Sequence, residues 1–223
     1  MAFCPSPPLL LPAVAGRAAA EITALREACA DAVAGMLAGR PDAVVVVGDG
    51  VPPGVRFGAG DAGDLRGFGV DLEIPFSART LPDGRRLPLP HTIGAWLLDQ
   101  AGYSGLRVGV GQDDLAGALA DCPGPVGILA MGDGSARRTL KAPGYLDPAA
   151  GPFDAAVAAA LRTGDPATLA ALDPVEGERL LAAGVPVWRA VGAALDGLSF
   201  QAHLLHDEAP FGVGFAVPMS MPR

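Results

Sequence analysis

Two stretches of the chain share one pattern. Val44-Val45-Val46-Val47-Gly48-Asp49-Gly50 and Ile128-Leu129-Ala130-Met131-Gly132-Asp133-Gly134 each run an apolar segment into Gly-Asp-Gly. In an open α/β sheet, ligands bind beyond the carboxyl ends of parallel strands, so both loops are expected on one rim with Asp49 and Asp133 facing a common crevice. Two carboxylates there would hold a hard cation or accept hydrogen bonds from a hydroxylated molecule, and glycine would let the backbone come close to it. The competing expectation is that each Asp closes its own turn, as Asp does beside Gly. Cys4 and Ser6, after a short apolar opening, are expected on the same rim, where either could be a ligand or a nucleophile; buried filler is the plainer role for Cys4. Ser135, in Asp-Gly-Ser-Ala, lacks the Gly-x-Ser-x-Gly frame of a serine hydrolase. Arg137, Arg138 and Tyr145 follow it, and a guanidinium fork beside a phenol would meet an acidic or phenolic molecule, the alternative being a solvated basic turn.

The three histidines are His91, His203 and His206. His91, between Pro90 and an expected helix start, is read as a near-cap residue, the alternative being a loop residue able to reach a cleft. His203 and His206 are three apart in an expected strand, which puts them on opposite faces and argues against joint chelation. Gly109-Val110-Gly111 lacks the third glycine of a dinucleotide fingerprint, and no GxxxxGK[ST] occurs.

These residues need a scaffold to bring them together. Ala2 to Cys4 reads as an opening strand and Ala18 to Leu37 as an amphipathic helix ended by Gly39 and Pro41. Ala43 to Val47 reads as a central strand covered on both faces. Gly54 to Gly69 is a glycine-dense surface excursion, followed by an edge strand near Val70 to Ile74. A helix over Thr92 to Gln100 and strands over Leu106 to Val110 and Pro125 to Met131 complete the first part. Helices follow over Phe153 to Leu161, Ala167 to Leu172, Val175 to Ala183 and Val187 to Leu195. Leu198 to His206 and Phe211 to Val217 read as an antiparallel hairpin. The expected architecture is a single α/β domain over residues 1–223, a mixed central sheet with helices on both faces.

Composition narrows the function classes. Half of the 223 residues are hydrophobic and 18% charged, enough for a packed core. A formal net charge of -8 repels phosphate backbones and anionic lipid, so neither nucleic acid nor membrane is an expected partner. No apolar run nears the roughly 20 residues of a membrane helix. The opening MAFCPSPPLLLPAVAG has no basic start and carries prolines through its apolar part, so it is not read as an export signal. Three cysteines without a CxxC pair suggest reduced thiols in a soluble cytoplasmic protein.

CPSPPLLLPAVAG at the start, the VVVVGDG strand, MGDGSARRTLKAPGYLD and DEAPFGVGF together resemble actinobacterial proteins of the class III extradiol ring-cleavage dioxygenase superfamily, which includes protocatechuate 4,5-dioxygenase catalytic subunits and Memo-like proteins. The similarity runs over most of the chain. It implies a non-haem Fe(II) face of two histidines and a glutamate, a catecholic substrate, a further histidine as acid/base, and assembly as a homo-oligomer. This chain departs from that pattern. Ser6 stands where relatives can carry the first histidine ligand, Gly48-Asp49-Gly50 where another is expected, and Ala136 follows Ser135 where the acid/base histidine would be. Glu208 is the late acidic residue that would stand for the carboxylate ligand. Without imidazole at these places tight iron binding is not expected. The expectation is therefore an extradiol dioxygenase-like protein with a degenerate metal site and no cofactor, which binds a small aromatic or acidic molecule or a partner. Its pocket would be lined by Cys4, Ser6, Asp49, Asp133, Ser135, Arg137, Tyr145 and Glu208. The alternative is an active Fe(II) ring-cleavage enzyme on replaced ligands, Asp49, Glu208 and His91.

Overall fold

The computed structural model describes residues 1–222. Six strands form one mixed sheet: β1 (Ala2–Cys4), β2 (Ala43–Val47), β5 (Leu106–Val110), β6 (Val126–Met131), β7 (Phe200–Glu208) and β8 (Phe215–Pro222), in the order β5-β2-β6-β1-β8-β7. β1, β2, β5 and β6 run parallel, while β8 is antiparallel to β1 and β7 to β8. The expected α/β domain with an antiparallel hairpin at its carboxyl end is thus what forms. β3 (Ala62–Asp64) and β4 (Glu73–Pro75) make a separate two-stranded ribbon. It lies in the glycine-dense excursion, whose weak patterning hid β3 and let β4 be read a few residues early.

The alternation of β2 shows why a continuous apolar run belongs at the centre. Val44 and Val46 pack into one core with α2 (Thr23–Ala38) and α3 (Leu89–Gln100). Val45 and Val47 pack into the other with α4 (Leu115–Asp121), α5 (Ala150–Thr163), α6 (Pro166–Ala170) and α8 (Val185–Ala194). Both faces of the strand are buried, so no position can be polar. α1 (Pro12–Ala15) and α7 (Pro174–Arg179) are short connecting turns.

Two helices differ from expectation. α4 was not anticipated, because LAGALAD offers only Leu115 and Ala118 as buried contacts and reads as a loop. α3 begins at Leu89, with Pro90 in its first turn, where a missing N–H costs nothing. The earlier start takes His91 out of the loop.

Candidate functional site

The carboxyl rim of the parallel strands carries Ser6, Asp49 and Asp133 from adjacent strands. β1 leads into Ser6, β6 into Asp133 and β2 into Asp49, and these strands are neighbours in the order β2-β6-β1. The Ser6 N–H donates to Asp133 Oδ1 at 2.7 Å, a bond to the end of β6 from the end of β1. Neither Asp133 nor Asp49 has a basic partner among the described residues. Burial raises the Asp133 carboxyl to about 6, the Ser6 amide opposing this and the Asp49 charge adding to it. Asp49 lies on the exposed side of the rim, and partial desolvation raises its carboxyl as well. The rim therefore presents two carboxyls without a counter-cation, one of them half-protonated near pH 6.

Cys4 is 1% exposed and packs beside Cys29 of α2, and that contact together with burial pushes the Cys29 thiol up. Both behave as core residues with no accessible nucleophile. Ser6 is 8% exposed, and its backbone rather than its hydroxyl is committed to the rim.

Ser135 does not line a cleft. It is fully buried; its N–H donates to Asp154 Oδ1 at 2.8 Å, its hydroxyl donates to the Leu180 carbonyl at 3.0 Å, and that hydroxyl accepts the Arg137 N–H at 3.1 Å. Arg138 completes the cluster with a 3.0 Å ion pair to Asp154, whose other oxygen is the one on Ser135. Asp154 sits in the Ala-rich helix α5, and nothing in the sequence distinguished it from a solvated helix position. Gly132 and Gly134 are small for packing as well: a Cβ on Gly132 would stand 2.4 Å from Gly184 Cα, and one on Gly134 2.8 Å from the Gly214 carbonyl oxygen. Tyr145 is 63% exposed with φ 62.

His91 takes the near-cap position, as the third residue of α3, and not the cleft-facing loop position. It is fully buried in α3, with Nε2 3.0 Å from the Val110 carbonyl at the end of β5 and its ring edge-on to Phe57 at a 5.4 Å centroid distance. Burial lowers it to about 4, so it is neutral at pH 7 and Nε2 carries the proton that bonds Val110. Among the described residues its Nδ1 has no hydrogen-bond partner, and it lies under Gly48, where a Cβ would stand 3.5 Å from it. It therefore supports the β2 loop from below and does not reach a cleft.

The opposite-face reading of His203 and His206 also fails. A bulge between Leu204 and His206 inserts one residue, so His203 pairs with Met219 and His206 with Val217. Those partners share a face of β8, the one toward α2, and so do the two histidines.

The iron face that the resemblance implies can be tested on these placements. Glu208 ends β7, four strands from β2, or about 19 Å at the usual spacing. Asp49, Glu208 and His91 are thus an exposed rim residue, an exposed edge residue and a fully buried one, and the trio is not assembled. Among the described residues no group of three His, Cys, Asp or Glu side chains is placed to hold a metal. The residues present do not fit a two-histidine-one-carboxylate site. No protein-family model matches the chain, and no curated protein matches it. No helix among the described residues is long and apolar enough to cross a membrane.

Proposed function

We propose that the chain is a divergent relative of the class III extradiol dioxygenases that binds a small hydroxylated aromatic molecule at the Asp49–Asp133 rim, without metal and without ring cleavage. One observation carries the reading. Among the described residues, the largely buried Asp133 carboxyl has one hydrogen bond, from the Ser6 amide, and no cation to balance it. A desolvated carboxyl without a cation is costly in a core, and vicinal hydroxyls would satisfy its open acceptor positions and those of Asp49. A cytoplasmic location accords with the three free cysteines. A second copy of the chain as partner rests on the resemblance alone.

The test is calorimetric titration of the full chain with catechol and protocatechuate, in air, with and without added Fe(II). The expected result is saturable binding, no yellow ring-opened product, and a loss of affinity of about tenfold in Asp133→Asn, which replaces an acceptor oxygen with a donor. Colour formation with iron, or about one metal per purified chain lost in Asp49→Ala, would overturn the proposal in favour of the iron enzyme. Equal affinity in Asp133→Asn would remove the rim from the reading.

A further inference from the structure

β8 runs antiparallel to β1, so the turn that joins β7 to β8 lies at the carboxyl end of the parallel strands, beside the loop that follows β6. Turn and loop are pinned together. The Arg138 N–H donates to the Gly212 carbonyl at 3.0 Å. Gly212 has φ 78, and a Cβ on it would stand 2.5 Å from Thr139 Oγ1 and 2.7 Å from Ala142 Cβ, so only glycine lets the turn come this close. Between the two segments lies an open groove of about 690 Å³, within the range of small-molecule sites.

Its lining divides into two kinds of group. Leu140, Leu146 and Phe211 are 62%, 43% and 41% exposed, three large apolar side chains left in water around one groove. Phe211 also carries φ 57, a left-handed conformation that is rare for a bulky residue and that clusters at ligand clamps. The charged groups of the lining are both cations, Arg138 and Lys141, with no Asp or Glu beside them in a chain whose net charge is -8. Arg138 spends Nη1 on Asp154 at 3.0 Å, which fixes the guanidinium and leaves Nε and Nη2 with no acceptor among the described residues. Lys141, the single lysine of the chain, has no ion-pair partner among the described residues.

We infer that this groove binds an amphipathic carboxylate, of the chemical class of a medium-chain alkanoate, with its head group on the free edge of Arg138 and on Lys141 and its chain along Leu140, Leu146 and Phe211. The Nε–Nη2 edge of a guanidinium matches the two oxygens of a carboxylate, and the ammonium adds a second positive charge. An amine would be repelled by both cations, and a neutral alcohol would use neither charge. The carboxyls of Asp49 and Asp133 would repel such a ligand, so the groove is separate from the rim and independent of the function proposed there.

The experiment is calorimetric titration of the full chain at pH 7 with butanoate, hexanoate, octanoate, octanol and octylammonium. Octanoate is expected to bind at least about fivefold more tightly than octanol, octylammonium not to saturate, and alkanoate affinity to rise about twofold for each CH2 added along the open apolar wall. Lys141→Glu, at an exposed position, should weaken octanoate about fivefold and leave octanol unchanged, whereas Lys141→Arg should keep octanoate binding. Leu140→Ser, also exposed, should weaken octanoate and octanol alike. Octanol binding as tightly as octanoate, affinity independent of chain length, or octanoate affinity unchanged in both Lys141→Glu and Leu140→Ser would each overturn the assignment. Loss of octanoate binding in Asp133→Asn would overturn it as well, by moving the ligand to the rim.

Discussion

Asp133 and Ser135, two residues apart, were both read as pocket residues, and the fold gives them different work. Ser135 has every polar group spent on Asp154, Leu180, Arg137 and Gly214, so it holds the loop after β6 to α5 and to the segments at Leu180 and Gly214. The Asp133 carboxylate has, among the described residues, one bond and no counter-charge. A residue whose bonding is complete is structural, and one whose bonding is incomplete is free to act on something else. Tyr145 is a third case. It carries φ 62 at 63% exposure, and its N–H is bonded to the Ala142 carbonyl at 2.9 Å. A left-handed backbone at a bulky residue stores about 1 kcal/mol or more of strain. Tyr145→Gly is therefore expected to stabilise the fold by about 1 kcal/mol, read as a Tm rise of about 2–4 °C. A fall in Tm would show that the ring makes contacts worth more than the strain.

Helix α8 shows how an element can be constrained by its neighbour more than by its own propensity. Gly192 sits inside α8, where alanine would ordinarily gain about 1 kcal/mol. A Cβ there would stand 2.5 Å from both the Ala170 amide nitrogen and the Pro166 carbonyl oxygen of the α6 segment, and backbone atoms cannot swing aside. Gly192→Ala is accordingly expected to destabilise by about 2 kcal/mol, as a lower urea midpoint with unchanged slope. A neutral result would mean that α6 moves freely against α8. The bulge in β7 belongs to the same scale: a single inserted residue places His203 and His206 on one face, where strict alternation puts them on two.

Over the whole molecule, two buried groups set opposing responses to pH. The Asp133 carboxyl is raised to about 6, so between about pH 4 and 6 the folded chain holds a proton that the unfolded chain has lost, and stability falls as pH rises through that window. His91 is lowered to about 4, so the unfolded chain takes up a proton first, and stability falls as pH drops from about 6.5 to 4. The two slopes have opposite signs over nearly the same range and should largely cancel in the native protein. Asp133→Asn removes one of them and keeps the acceptor oxygen for the Ser6 amide. Its stability in urea should match that of the native chain near pH 4 and exceed it by up to about 2 kcal/mol at pH 7.5, in the variant expected to bind catechol less well. A constant gap between the two proteins from pH 4 to 7.5 would mean that Asp133 does not titrate as its burial requires.

The β-branched run of β2, the apolar spacing of α2 and the hairpin near the carboxyl end were legible along the chain, because burial on one or both faces leaves a local period in side-chain polarity. The shared rim of Asp49 and Asp133 followed from two strands with the same ending. Strand order did not follow. It sets Glu208 four strands away from Asp49, and it depends on pairings between segments more than a hundred residues apart. The burial of His91 and the closure of Ser135 by Asp154 were decided by tertiary packing alone. A side chain's hydrogen-bond partners come from whatever the fold brings alongside it, and sequence neighbours do not name them.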